Sequence, residues 1–408
     1  MSRKRTVLAT AAVMAGALAL ASCSSGTESG GAAGSCDTSK GTLVIGFVAP
    51  LSGSLTALGI GMKNSADLAV KEANTKCSVP GYKLAFQAED DQATPQVGGQ
   101  AATKLASDPN VVAVIGTLNS SVSQAVQPTL AGKKIVQISP ANTSPPLTKG
   151  ADFATAPKRP FPTYFRTAAT DDLQGPFAAD YLVKKAGKKN IAVIDDGKTY
   201  GAGLAAEFVK QAQKDGATIV AQEKVGEKDT DFAGVIAKIK PSNPDAVYYG
   251  GEYPAAGPLS NQLAGAGLAI PLMGGDGIVD SKFVELGGRE GDLATNVGPD
   301  ATKLDSAKAF LDAYNAAKYP EPYSAYGALT YDAANAIIKA LAATVASGGW
   351  SDAQRDKLIE NTGKTDFQGS TGPVKFDQYG DTTNKLLTVY KVESGKFAAV
   401  ETGTFEKS

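Results

Sequence analysis

Asp108-Pro109-Asn110-Val111-Val112-Ala113-Val114-Ile115-Gly116-Thr117-Leu118-Asn119-Ser120-Ser121 contains a turn, an apolar run and a glycine-led polar loop that enters a helical pattern. The run Val111–Ile115 never alternates with polar residues, which is how a strand reads when helices cover both of its faces. A second stretch, Asn243-Pro244-Asp245-Ala246-Val247-Tyr248-Tyr249-Gly250-Gly251, repeats this order of turn, buried strand and glycine loop. The chain therefore writes one α/β grammar twice, which predicts two similarly made lobes, each a parallel sheet flanked by helices.

Working outward, strands are expected over 42–49, 82–90, 111–116 and 135–138, with helices over 60–74, 94–107 and 120–131. A stretch rich in Pro, Thr and Lys from Ser139 to Pro162 interrupts the rhythm. It resumes with strands at 191–194, 218–225, 246–250 and 271–274 and helices from Asp172, Tyr200, Phe232 and Ala255. Helical patterns then cover 303–318, 326–345 and 351–361, and strands close the chain near 374–376, 384–392 and 397–402. Strands so far apart in sequence imply several crossings between lobes, and so a hinge of several crossovers. The expected division is lobe 1 over 41–163 and 297–380, and lobe 2 over 164–296 and 381–408; such a length exceeds one ordinary core.

The start of the chain has a different character. Arg3-Lys4-Arg5, an apolar run from Val7 to Leu20 and Leu20-Ala21-Ser22-Cys23 have the layout of a secretion signal ending at a lipidation site. The apolar stretch is shorter than the roughly 20 residues a membrane span needs, which argues against a transmembrane helix. Residues 1–22 are thus expected to be a signal peptide, Cys23 the lipid anchor, and 23–40 a Gly/Ser-rich tether on the outer side of the cell membrane. Of the three cysteines, Cys36 and Cys77 then remain, and an even pair in an exported chain reads as a disulfide; two free thiols are the plainer alternative.

Charge and composition remove whole classes of function. The net charge is −1, and loss of Arg3, Lys4 and Arg5 with the signal leaves −4, so no basic surface for nucleic acid is expected. Histidine is absent, which removes the usual general base, the Ser-His-Asp and Cys-His arrangements and imidazole metal ligands. No cofactor or metal is called for.

Three polar loops at strand ends remain, where open α/β sheets bind ligands. Gly116–Ser121 enters a helix whose free N–H groups suit a carboxylate. Ser139-Pro140-Ala141-Asn142-Thr143 offers a hydroxyl and carbonyls to a cation, and Gly274-Gly275-Asp276-Gly277 sets one acid among glycines. Ser120 and Ser121 could merely cap a helix and Asp276 could be a solvated loop acid. Their joint occurrence at the sheet ends of two lobes favours a site for a zwitterion.

With these segments in place, Ala49-Pro50-Leu51-Ser52-Gly53, Asn119-Ser120-Ser121, Ser139–Thr143, Thr199-Tyr200-Gly201-Ala202-Gly203-Leu204 and Val247–Pro254 resemble, in order, the signature segments of the branched-chain amino-acid-binding proteins. These are type I periplasmic-binding-fold receptors of ABC importers, and the similarity runs from Gly41 to about Thr402. The resemblance implies that Ser120 and the backbone near Leu118 hold the ligand carboxylate, that Thr143 and Ala141 meet its ammonium with Asp276 as the acid for it, and that Asn119 and Asn142 are among the ligand-binding residues. It also implies that Tyr200, Glu252 and Tyr253 line the second lobe, Tyr326 the hinge side and Leu58 the wall. Asp276 is a methylene shorter than the glutamate often found there, and Leu58 and Glu252 stand where aromatics are common. A monomeric receptor that hands an amino acid to a membrane permease is the expected function, with amides, urea-like solutes or small aromatic acids as alternative ligands.

An enzyme reading stands beside it. Gly201-Ala202-Gly203-Leu204-Ala205-Ala206 matches a dinucleotide fingerprint, with Glu223 about 20 residues on. The glycines, however, lie beyond Gly197-Lys198-Thr199-Tyr200 and not at the strand end, and Gly363-Lys364-Thr365 lacks the first glycine of a phosphate loop because position 358 is Leu. Asp90-Asp91 and Asp195-Asp196 could serve a glycosidase but read more simply as turn acids.

Overall fold

The computed structural model describes residues 36–226, 228–346 and 348–406; the expected signal peptide and the expected lipidation site at Cys23 lie outside them. Among the described residues no helix is long and apolar enough to cross a membrane. The first part of the chain runs β1 (Thr42–Ala49), α1 (Thr56–Thr75), β2 (Lys83–Asp90), α2 (Pro95–Ser107), β3 (Val111–Gly116), α3 (Ser120–Gly132), β4 (Val136–Ser139), the single turn α4 (Pro146–Lys149) and β5 (Tyr164–Arg166). It continues through α5 (Asp171–Asp180), β6 (Asn190–Asp195), α6 (Thr199–Lys214), β7 (Thr218–Lys224), α7 (Ala233–Ile239), β8 (Ala246–Gly250), α8 (Tyr253–Gly265), β9 (Leu272–Gly274), α9 (Ser281–Glu285) and β10 (Leu293–Asn296). The last part holds α10 (Lys308–Ala317), α11 (Gly327–Val345), α12 (Arg355–Gly363), a hairpin of β11 (Asp366–Gly369) and β12 (Gly372–Lys375), then β13 (Leu387–Glu393) and β14 (Lys396–Gly403).

Two sheets result. The first has the order β2-β1-β3-β4-β5, all parallel. The second repeats that order as β7-β6-β8-β9-β10 and is extended by β13 and β14, both antiparallel to their neighbours. The second sheet is thus mixed, which the continuous apolar runs did not signal. β5 and β10 were not expected either: each is short, and β5 emerges just after the Pro-rich stretch and joins β4 in the first sheet. Helices α10, α11 and α12 return to the first sheet, where α11 packs along α1 and against β3 and β4.

Register decides where the loops meet. Val48 pairs with Gly116, Ala49 with Asp90, and Ser139 with Arg166, so the carboxyl ends of the first sheet finish along one edge. Asp195 pairs with Gly250 and Tyr249 with Gly274 in the second. Both strand orders reverse between the first and third strands, which opens a crevice at that edge. Two close backbone approaches need glycine: a Cβ at Gly116 (φ +122°) would lie 2.0 Å from the Val48 carbonyl oxygen, and one at Gly250 would lie 2.1 Å from that of Gly201. Gly201 therefore seats α6 on the end of β8, a packing role that accounts for the first glycine of the dinucleotide-like motif. Cys36 and Cys77 are joined as a disulfide, with Cα atoms 5.4 Å apart, pinning the approach to β1 against the end of α1.

Candidate functional site

The loops after β3 and β4 are stapled together from behind. Gln137 donates to the Gly116 carbonyl at 2.8 Å, Ser139 Oγ to that of Thr117 at 2.9 Å, and Asn142 Nδ2 to that of Leu118 at 2.8 Å. Asn142 Oδ1 in turn accepts from Tyr164 at 3.0 Å. Arg166, wholly buried, donates to the carbonyls of Asn142 and Ser144 and pairs through Nε with Asp381 at 2.6 Å. Burial works against the Asp381 carboxylate, yet the charges of Arg166 and Lys149 hold it down at about 2. This scaffold fixes where α3 begins. Asn119 stands at its N-cap without capping it, so side-chain oxygens leave the first-turn N–H groups near Ser120 unclaimed.

Facing these loops, Asp276 follows β9 and is 1 % exposed. Its Oδ1 accepts from Tyr200 and from Gln174 Nε2, each at 2.7 Å, and its Oδ2 from Tyr326 at 2.7 Å. Tyr326 enters from α11, on the first-lobe side, so this cluster spans the cleft. Burial pushes the Asp276 carboxyl up to about 6 against the opposing pull of the Tyr200 and Tyr326 hydroxyls. Both tyrosines are themselves raised by burial and by the Asp276 charge, and stay neutral donors.

Leu58, Leu118, Asn119, Ala141, Tyr200, Glu252, Asp276, Gly277 and Tyr326 together line a narrow interlobe cavity of about 10 Å³. Polar contacts bridge the lobes at its rim: Asn119 Nδ2 donates to Glu252 Oε1 at 2.6 Å, Thr199 to Gln124 at 3.1 Å, and the Tyr253 hydroxyl to the Ser54 carbonyl. Of the residues singled out in the sequence, Asn142 and Tyr253 are not on the cavity wall: one braces the loops and the other ties the lobes. Ser120 and Thr143 are buried and do not line it either.

The sequence reading missed Asp171, the first residue of α5. Its backbone N–H donates to the Thr143 carbonyl at 2.9 Å. Apart from one another, its carboxyl oxygens and the hydroxyl of neighbouring Thr143 are buried without a hydrogen-bond partner. Burial, and then the charge of Asp276, push Asp171 well above the usual carboxylate range. Unmet acceptors beside a second acid want a cation between them. The signal was the sequence Thr170-Asp171-Asp172 a few residues after a strand end, but β5 went unrecognised and the helix was expected only from Asp172.

Two lobes of like topology, closed over a small cavity with an uncapped helix start on one side and a tyrosine-held acid on the other, define a two-lobed solute-binding protein of the type I fold. The chain belongs to the periplasmic binding protein family, whose profile matches residues 42–396. It is 32% identical over 361 residues to the Leu/Ile/Val-binding protein BraC3 of Rhizobium johnstonii, covering 88% of this chain and 94% of that one. Among solved structures it is similar to the branched-chain amino acid transporter substrate-binding protein LivJ of Streptococcus pneumoniae in complex with isoleucine (29% identity, TM-score 0.78, covering 89% and 99% of the two chains). It is also similar to the leucine-binding protein LivK of Thermotoga maritima (26%, TM-score 0.77, covering 88% and 98%).

Proposed function

We propose that this chain is the extracytoplasmic receptor of an ABC importer, which closes its two lobes on an α-amino acid of branched-chain or similar aliphatic kind and delivers it to a membrane permease. The observation that carries the reading is the acid cluster. Asp276, buried, held by two tyrosine hydroxyls and backed by the buried carboxyl of Asp171, suits an α-ammonium. The start of α3 near Ser120 takes the carboxylate, Ala141 and Thr143 add carbonyl and hydroxyl contacts, and Leu58 and Leu118 supply apolar wall. Binding and closure suffice for this role and no covalent step is required. An aromatic acid without an ammonium would leave two buried acids facing its ring, so the acid pair argues against that ligand.

A thermal-shift screen of the purified protein against amino acids, amides and small aromatic acids tests this directly. A true ligand at 100 times its Kd stabilises by about 2.7 kcal/mol. Stabilisation by leucine, isoleucine or valine is expected; a shift with benzoate-like acids and none with amino acids would reverse the assignment.

The same proposal places the protein on the outer face of the cell membrane through a lipid on Cys23, after removal of residues 1–22. Cys23→Ser should abolish lipid labelling and release the protein from the membrane fraction. Labelling equal to the parent would refute the anchor.

A further inference from the structure

The cavity has two polar poles that share no partner. At one, Asp276 is held by Tyr200, Tyr326 and Gln174. At the other, Glu252 of the second lobe accepts from Asn119 of the first at 2.6 Å and has Lys198 Nζ at 3.4 Å. Asn119 is 4 % exposed and lines the cavity. Its amide is engaged only through nitrogen, and its Oδ1 is buried with no hydrogen-bond partner. The second pole therefore presents acceptors: an amide oxygen and the carboxylate beside it.

An α-amino acid brings three groups into this space. Its ammonium belongs with Asp276 and its carboxylate with the first turn of α3. A carboxylate carries no donor and cannot meet Asn119 Oδ1 or Glu252, so the group left to face them is the side chain. A leucine side chain would set methyl groups against a buried unmet acceptor, whereas a carboxamide of nearly the same shape turns N–H donors toward it. We propose that Asn119 and Glu252 form a side-chain subsite that favours, among amino acids of branched-chain size, one whose side chain ends in an amide. The inference rests on the α-amino-acid clamp of the reading above and replaces its aliphatic side chain with an amide-ended one of the same size. Sites that hydrogen-bond a polar group discriminate strongly against analogues lacking it, because their own polar atoms are left unpaired.

Titration calorimetry of the purified full-length protein with asparagine and leucine, a nearly isosteric pair, is the test. Asparagine should bind at least about tenfold tighter than leucine. Glu252→Leu should erase or invert that ratio. The ratio is the informative quantity, since a Glu252 that only latched the lobes would weaken both ligands alike, which would overturn the subsite. Leucine binding tighter than asparagine in the parent would overturn it without any variant, so a misfolded substitution cannot shield the idea. In that case leucine affinity that still collapses in Asp276→Ala keeps the amino-acid clamp. Absence of binding by any amino acid removes both readings.

Discussion

Asp276 and Ser120 divide the clamp unequally. Asp276→Ala would leave a desolvated ammonium facing the space of its counter-ion and should cost roughly 2 to 5 kcal/mol of binding. Ser120→Ala leaves the backbone N–H groups in place and should cost less, within the roughly 1.5 to 3 kcal/mol of a hydrogen bond to a charged group. Calorimetry on the two variants checks the order; near-parental affinity in Asp276→Ala would mean that no ammonium sits there. Acidity probes the same contact. Without ligand, burial sets Asp276 at about 6, so the stability it contributes is complete below its unfolded value near 4 and lost as pH rises through 6. A bound ammonium prefers the ionised acid, so affinity should fall by about tenfold for each pH unit below 6, with protons released on binding near that pH. Affinity flat between pH 5 and 7 would contradict this.

Legibility at this scale followed local chemistry. Asp276 stood out because it is one acid among glycines in a strand-end loop, whereas Tyr200 and Tyr326 came only from the resemblance to the family. Asp171 did not, since its meaning depends on Asp276, about a hundred residues away, and on a strand three residues long. Asn142 and Tyr253 were read as ligand contacts because their loops were right, yet orientation sent their side chains to a carbonyl behind the site and across the rim.

Among elements, the long strands and helices were readable because apolar runs and helical periodicity state burial directly. β5, β10 and β11 were not, being too short for period to register, and β13 gave no hint of its direction because a strand's apolar pattern is the same either way. The joints between elements are where substitutions should tell. Gly250→Ala would press a methyl onto the Gly201 carbonyl and pry α6 from β8, costing about 1 to 3 kcal/mol in denaturant unfolding. It should also weaken ligand binding, because Glu252 lies only two residues beyond Gly250. Arg166→Met strips the only charge paired with Asp381 through a buried hydrogen bond among the described residues, and should cost about 3 to 5 kcal/mol. A loss below 1 kcal/mol would show that Lys149 alone suffices to hold Asp381.

At the scale of the molecule, the chain crosses between lobes after β5, after β10 and before β13, so neither lobe is a continuous segment. The Cys36–Cys77 disulfide closes a loop of sequence separation 41 around β1 and α1. In the chain-entropy picture it contributes about 3 to 4 kcal/mol, so the Cys36→Ser/Cys77→Ser double variant should melt several degrees lower, on the order of 5 °C. An unchanged melting curve would mean that this corner is held by packing alone.

The interleaving of the lobes also bears on how the protein is made. α1 is covered by α11, which the ribosome adds some 250 residues later, so a chain emerging up to β10 has its first sheet formed in principle but the outer face of α1 bare. Pairings so distant in sequence slow folding, because chain closure must precede the contacts that reward it. The first lobe cannot finish while synthesis is under way. A polypeptide that stays incompletely folded until its last quarter is present is one that can still be threaded through a narrow export channel, so the same wiring that hinges the receptor also keeps it transportable before it closes.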